Sequence, residues 1–422
     1  MPRPDVRTLL RNRELRQLYL ATVVSDFGSQ FGVVAIAFAA LHVGGPALLG
    51  IVLAARTLPA GLLVLWGGYL ADRLPRQRLM AVADAVRGGA QVATAVAVAI
   101  DGGTSSAVAV VAAQVAYGAA EAFFTPAARG IVPRLVDKAD ISAANALMGL
   151  TRYIVRPLGP AFGGVLVAFV GPVGGLLVDA ASFVLGMLLV LRIRVPKAAT
   201  GVTGSASIRD GFRQVLSYNW LLAMIAASII FQAAVLGPVL IGGPTVTASI
   251  GGPTVWGLLL GAAGLGSVLG SLVALRIRPS RPLLAMSALI LLIAPYPMMF
   301  ALGSPVVVLL GAAVLYGMCL AMVSNIYFTV LHVRVPDEYL GRILAVDEVC
   351  SIAMLPLSQV VAGLLVQAYG GSVLFWGSTG AVVVASAVLL AVPEARRLTD
   401  RPEPEPESVP EAAGQPSHSP AR

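Results

Sequence analysis

The chain is poor in the residues that most protein chemistry uses. It has two cysteines, Cys319 and Cys350, both inside apolar runs. That pattern excludes a disulfide framework and a thiolate metal cluster. Its three histidines, His42, His332 and His418, stand far apart, and no His, Cys or Asp spacing suits a metal ion. No Gly-rich loop ending in Gly-Lys-Ser/Thr occurs, so ATP is not the expected driver. Gly264-Leu265-Gly266 lies inside an apolar run and reads as helix packing, not dinucleotide binding. No enzyme signature, cofactor or nucleic-acid partner is expected. Charge is scarce as well. Only 12% of the 422 residues are charged and 57% are hydrophobic, against roughly 25% charged in soluble domains. A globule cannot hide that much apolar surface, so the chain reads as an integral membrane protein with the lipid bilayer as its solvent.

What is present is long apolar runs. A spanning helix needs about 20 apolar residues. That ruler predicts twelve spans, at roughly 15–41, 47–71, 78–100, 105–127, 143–170, 172–193, 218–241, 254–275, 282–301, 305–328, 341–369 and 372–393. The first follows a basic segment, MPRPDVRTLLRNRELRQ, and is longer than a signal-peptide core, so it is expected to stay uncleaved. Six turns read HVGGP, DGGTSS, VGPVGG, IGGP, LGSP and YGGS, and none holds Lys or Arg. The alternate loops carry the basic residues. By the positive-inside rule both termini and the loop Gly68–Met80 are expected on the cytoplasmic side of the inner (plasma) membrane.

Residues 194–217 form the only long polar interval between spans and divide them six and six. The expected plan is a cytoplasmic segment at 1–14, a first bundle at 15–193, a linker at 194–217 and a second bundle at 218–393. A tail at 394–422, rich in Pro and Glu, is expected to be disordered. GGPTV occurs at 242 and again at 251, a local duplication to which no role is given.

The two halves repeat one another. Pro157-Leu158, Gly164-Val165-Leu166-Val167 and Gly171 match Pro356-Leu357, Gly363-Leu364-Leu365-Val366 and Gly370 at one constant offset without a gap. Phe124-Thr125 echoes Phe328-Thr329. Parallel six-helix repeats suit a transporter whose two bundles rock about a central site. The fold class expected is therefore all-α and integral to the membrane, with twelve transmembrane helices in two pseudo-symmetric six-helix bundles.

Several motifs carry a family resemblance over about residues 10–395. Gly68-Tyr-Leu-Ala-Asp72-Arg73 with Arg76 resembles the signature between the second and third helices of the major facilitator superfamily, although Pro75 stands where that family usually has Gly. Gly159-Pro160 with Gly163-Gly164 resembles the second half of the signature of its antiporters. The upstream glycines of that signature are replaced by Ala146 and Val155, and the family's fourth-helix Arg is replaced by Gln114. Phe124-Thr-Pro126-Ala127, Pro133, Ala144-Asn145-Ala146-Leu147, Asp179-Ala-Ala-Ser182-Phe183 and Pro336 to Gly341-Arg342 are similar to the bacterial macrolide-efflux and enterobactin-exporter branch. The resemblance implies a secondary exporter working by alternating access, most simply as a monomer.

A charge at mid-bilayer costs several kcal/mol unless paired or hydrated. Asp26 lies 11 residues into the first span, roughly 16 Å deep, near the middle of a core about 30 Å thick. Gln30 follows one turn on. Asp26 reads either as a proton-accepting carboxylate on a cavity helix or as half of a structural ion pair. Arg56, Arg152 and Arg156 reach similar depths and are its candidate partners. Glu121 in the fourth span is either a second proton site or a solvated helix-end residue. Asp84 and Arg87, three apart, are expected to pair with each other or with the hinge loop, and Asp179 to be structural. Asp347 and Glu348 lie two turns into the eleventh span and receive no role.

Spans seven to ten hold no ionisable residue beyond their ends. Gln232, Tyr316, Asn325 and Tyr327 are expected to line the substrate cavity, with Trp256 alongside them and Tyr296 packing. An apolar and aromatic wall of this kind suits an amphipathic ligand better than a sugar. In the second-to-third loop, Gly68, Asp72, Arg73 and Arg76, with Arg342 at the start of the eleventh span, are expected to act as a latch between the bundles.

The reading that follows is a proton-coupled exporter of a hydrophobic or amphipathic small molecule, of the drug, macrolide or siderophore class. An uptake carrier and a non-transporting scaffold or sensor are the alternatives. The first would need a polar ring across both bundles, and the second has no use for a charge at mid-membrane.

Overall fold

A computed structural model of the protein describes residues 6–100, 103–194, 218–277, 279–335 and 337–393. The expected disordered tail and nearly all of the expected linker lie outside these residues, as do the side chains of Arg152, Arg156 and Arg342. The described backbone is helical, with short turns. In hydrocarbon only a helix or a closed barrel satisfies every backbone N–H and C=O, and these Ala-, Leu- and Val-rich runs leave the helix as the solution.

The helices fall on the expected spans. Spans one and two are carried by Arg13–Arg73, broken at Gly44 and Gly45, and spans five and six by Ile141–Leu191, broken at Gly171. Arg76–Ile100 and Thr104–Ile131 are spans three and four. Span seven is interrupted: Asn219–Phe231 passes through a π turn at Gln232–Leu236 into Gly237–Thr247. Gly252–Ala274 is span eight. Span nine is split into Pro282–Leu291 and Pro295–Ala301, because Pro295 has no N–H to continue the first helix. Val306–Arg334, Asp337–Tyr369 and Gly371–Ala391 are spans ten to twelve.

The turns without Lys or Arg have a shared backbone chemistry. Gly45, Gly103, Gly171, Gly251, Gly252, Gly303 and Gly370 all adopt positive φ, and each falls in one of those turns. Residues with a Cβ rarely take that conformation, which explains the Gly-rich composition of these turns.

The two bundles meet through two crossings of small residues. Gly50 of span two packs on the backbone of Gln359 and Gly363 in span eleven. Gly164 of span five packs on Pro253 and Gly257 at the start of span eight. Gly164 and Gly363 are repeat mates, so the two crossings are related by the internal symmetry. Without a Cβ the backbones come close enough for dispersion and Cα–H contacts to hold helices together in lipid. Thr57 adds a hydroxyl donated to Gln359 Oε1 at 3.0 Å, and the Ala47 N–H donates to Gln367 Oε1 at 3.2 Å. Both crossings sit in the halves of the spans remote from the chain termini.

At the other end the first bundle is tied to itself. Asn12 donates to the Leu135 carbonyl at 2.7 Å, Gln77 to the carbonyls of Val190 and Leu191 at 3.0 and 2.8 Å, and the Arg194 N–H to Glu14 at 2.7 Å.

Candidate functional site

The breaks and crossings leave a central volume of two lobes. One, of about 580 Å³, lies inside the first bundle and is lined by Asp26, Gln30, Arg56, Arg87, Tyr117, Glu121 and Arg129, among others. The second, of about 660 Å³, lies between the bundles and is more apolar, with Ile36, Leu53, Val64, Leu240, Trp256 and Leu355 on its wall. Val33, Arg56, Glu121 and Thr125 border both lobes.

The partition is an ion pair. Arg56 Nε of span two lies 3.8 Å from Glu121 Oε2 of span four. The Arg56 guanidinium also stacks over the Tyr117 ring, 3.9 Å from its centroid. Gly118 admits this arrangement, because its missing side chain lets the Arg56 backbone press against span four. The Arg56 side chain is 14% exposed and that of Glu121 40%, so Glu121 faces the open volume and Arg56 is held in the wall. Asp26 and Gln30 share the charged lobe with this pair.

A second charged group lies deeper. Arg87 pairs with Asp84, as their spacing suggested, and its guanidinium sits between the rings of Phe124 and Phe183, at 4.0 and 4.5 Å. Asp179 is fully buried and accepts from Gln91 at 2.5 Å. Gln114 donates to Gln91 Oε1 at 3.2 Å and to the Thr94 hydroxyl at 3.0 Å. Four polar side chains from spans three, four and six thus form one hydrogen-bonded chain in the bundle core. Burial without such partners would cost each group several kcal/mol. Gln114, which stands in place of the family's Arg, is a member of this chain.

The expected cavity residues divide. Gln30 lines the charged lobe and Gln232 the apolar one. Gln232 opens the π turn, where the i to i−4 ladder is interrupted, a feature common at functional sites. Tyr316, Asn325 and Tyr327 do not border the central volume, which corrects the sequence expectation. Tyr316 is 6% exposed and packs among the rings of Tyr296, 4.8 Å away, and Phe231. Asn325 is exposed and donates to the Ala321 carbonyl at 2.8 Å. Tyr327 lines a separate cavity within the second bundle. Span ten turns Tyr316 and Tyr327 toward spans seven and nine, and the orientation is set by neighbours that its mostly apolar sequence does not reveal.

The small residues of span five have separate duties. Gly159 and Gly163 pack against Gln30 and Phe31 of span one, while Pro160 and Gly164 meet Gly257 of span eight. One motif therefore joins a cavity helix to the bundle interface.

In the second-to-third loop, Arg76 Nη2 lies 2.9 Å from Asp72 Oδ1, its Nε donates to the Ala71 carbonyl at 3.1 Å, and Nη1 donates to the Gly130 carbonyl at the end of span four. Arg73 stacks over Tyr69, 4.1 Å from the ring centroid. Gly68 has open space where a side chain would project. Asp72 is thus engaged inside its own bundle. Arg87 and Tyr117 are site residues that sequence reasoning did not select, although Arg87 was one of the few charges within a span.

Residues 8–411 match the family described as transmembrane secretion effectors. The chain is similar to the multidrug efflux pump Tap of Mycobacterium tuberculosis (strain ATCC 25618 / H37Rv), at 27% identity over 407 residues, covering 92% of this chain and 95% of that protein. It is 25% identical to the Tap pump of Mycolicibacterium fortuitum over 397 residues, covering 90% and 96%. Among solved structures, an inward-facing bacterial homologue of the iron transporter ferroportin superposes with a TM-score of 0.74 at 19% identity, covering 90% of this chain and 98% of the other. A D-xylose–proton symporter superposes with a TM-score of 0.67 at 14% identity, covering 91% and 99%.

Proposed function

The chain belongs to the transmembrane secretion effector family of the major facilitator superfamily, and from that premise we propose that it exports a hydrophobic or amphipathic small molecule in exchange for protons. The observation that carries the reading is the junction of the two lobes. An apolar volume between the bundles, large enough for a drug-sized ligand, shares Arg56 and Glu121 with a charged lobe that holds Asp26. Ligand and proton would then compete across one ion pair. A proton on Glu121 or Asp26 changes the charge at the wall of the ligand volume, and a ligand pressing on Glu121 favours one protonation state. Linkage of that kind is reciprocal.

In the cycle we infer, both termini face the cytoplasm and the bundles rock about the central volume. The crossings at Gly50–Gly363 and Gly164–Gly257 then close the outer side, and the structure corresponds to the state open to the cytoplasm. Asp72 holds Arg76 in this state. When the inner side closes, Asp72 becomes available to the N-terminus of span eleven, whose first-turn amide groups favour a carboxylate and which carries Arg342 in its second turn. The pump acts as a monomer in the plasma membrane.

Expression in a drug-sensitised bacterial host tests the reading. Steady-state accumulation of a hydrophobic drug should fall several-fold, and a protonophore should restore it. Accumulation unchanged across a panel of neutral and charged hydrophobic drugs would overturn it.

A further inference from the structure

The hydrogen-bonded chain in the core of the first bundle ends on an acid without a counter-ion. Asp179 is fully buried and borders neither lobe of the central volume. Its Oδ2 accepts from Gln91 at 2.5 Å. Its Oδ1 is buried with no hydrogen-bond partner. Among the described residues no Lys or Arg forms an ion pair with it. Arg56 of span two and Arg87 of span three act on it only at longer range. Both are engaged elsewhere, Arg56 with Glu121 and the Tyr117 ring, Arg87 with Asp84 and the rings of Phe124 and Phe183. Tyr117 of span four is the further titratable group that acts on it.

The surroundings of Oδ1 suit a proton better than a charge. Gly28 and Gly32 of span one lie against the Asp179 carboxyl, and Ser182 Oγ stands beside Gly28 as well. The Ser182 hydroxyl donates to the Asp179 main-chain carbonyl at 2.7 Å, so toward Oδ1 it presents only lone pairs. Those lone pairs repel a carboxylate and accept from a carboxylic acid. A buried charge with one donor and no counter-ion is costly, and a proton on Oδ1 removes it.

Depth sets the side of the membrane. Asp179 lies eight residues beyond the turn at Gly171, about 12 Å along the helix. That is within the half of a ~30 Å core remote from the chain termini. Gln91 is nine residues from the same end of span three, and Gln114 ten residues from that of span four. In the proposed orientation this is the outer half. Span one stands between Asp179 and the charged lobe, to which it presents Asp26, Ser29 and Gln30.

We propose that Asp179 is a second proton-binding group of the exporter, set in the outer half of the first bundle and apart from the ligand volume. The proton is taken from water on the outer side as an O–H bond forms at Oδ1, and is returned to water when that bond breaks. Arg56 links this group to the ligand. With Asp179 neutral, Arg56 is left to Glu121 at the partition between the lobes. With Asp179 ionised, two carboxylates compete for one guanidinium where little water screens them, and the wall of the ligand volume changes. The inference deepens the export reading and rests on it only for the direction in which proton and drug move.

Infrared spectra of the purified full chain in nanodiscs at neutral pH test the site. Wild type should show a protonated-carboxyl band that exchanges slowly with deuterium and is absent from Asp179→Asn. Gln91→Ala should move that band, because Gln91 is its hydrogen-bond donor, and this shift decides the matter where Asp179→Asn does not fold. A purely structural carboxylate gives neither signal. Spectra in which no protonated-carboxyl band depends on Asp179 or on Gln91 would overturn the proposal. In proteoliposomes Asp179→Asn should keep downhill drug flux but lower uphill accumulation at least three-fold, and Asp179→Glu should retain most of it. Unchanged accumulation by Asp179→Asn would overturn its part in coupling. The band without gradient-driven transport of any drug would uphold the proton site and overturn the export reading.

Discussion

Asp179 shows what a single charge costs in the core of the first bundle. Its carboxylate is fully buried and accepts from Gln91, which in turn accepts from Gln114. Removing it orphans the Gln91 amide, and an unsatisfied buried donor costs about 1–3 kcal/mol. Asp179→Ala should therefore lower the thermal midpoint of the detergent-solubilised protein, and Asp179→Asn should recover part of the loss by keeping an acceptor oxygen. Equal melting of Asp179→Ala and wild type would contradict the network. At this scale the sequence was informative where a charge interrupted an apolar run. Asp26, Arg56 and Glu121 share a cavity because a charge in hydrocarbon must reach water or a partner. It was uninformative for Tyr316 and Asn325. A tyrosine in a span with apolar residues on every face can point toward the cavity or the core, and only the rings of Tyr296 and Phe231 decide.

At the scale of elements the two crossings do most to fix the bundles. A Cβ on Gly164 would lie 2.9 Å from Gly257 Cα, closer than packed atoms allow. Gly164→Leu should hold spans five and eight apart, reduce transport to background and leave cavity residues accessible from the outer side. The check is thiol labelling of a cysteine placed at Ile36 with an impermeant reagent. Normal transport by Gly164→Leu would contradict the role given to the crossing. In the loop of spans two and three, Asp72 serves its own bundle in this state, and Asp72→Asn should impair transport without loss of substrate binding, measured by equilibrium binding to the purified variant. Parallel loss of binding and folding would instead mark a purely structural loop. Span positions were legible from apolar run length, and the turns from their glycines. The π turn at Gln232–Leu236 was not, because nothing in the mostly apolar sequence of span seven marks it, and it forms where span eleven makes contact and Ser358 donates to the Ala233 carbonyl.

For the whole molecule, the proposed orientation rests on the partition of Lys and Arg, and the internal repeat sets the plan. A cysteine at Thr104 should react with an impermeant thiol reagent applied to intact cells, and one at Gln77 should react only after permeabilisation. The reverse pattern would invert the topology and the direction of the proposed cycle. The repeat also made the existence of two bundles readable from sequence. The central claim is that a proton gradient drives export through a cavity containing Asp26. Its most direct test is drug flux in proteoliposomes under an imposed pH gradient, with wild type and Asp26→Asn reconstituted at equal density. The account predicts uphill drug movement by wild type that collapses with the gradient and is absent from Asp26→Asn. Equal uphill pumping by both proteins would contradict it.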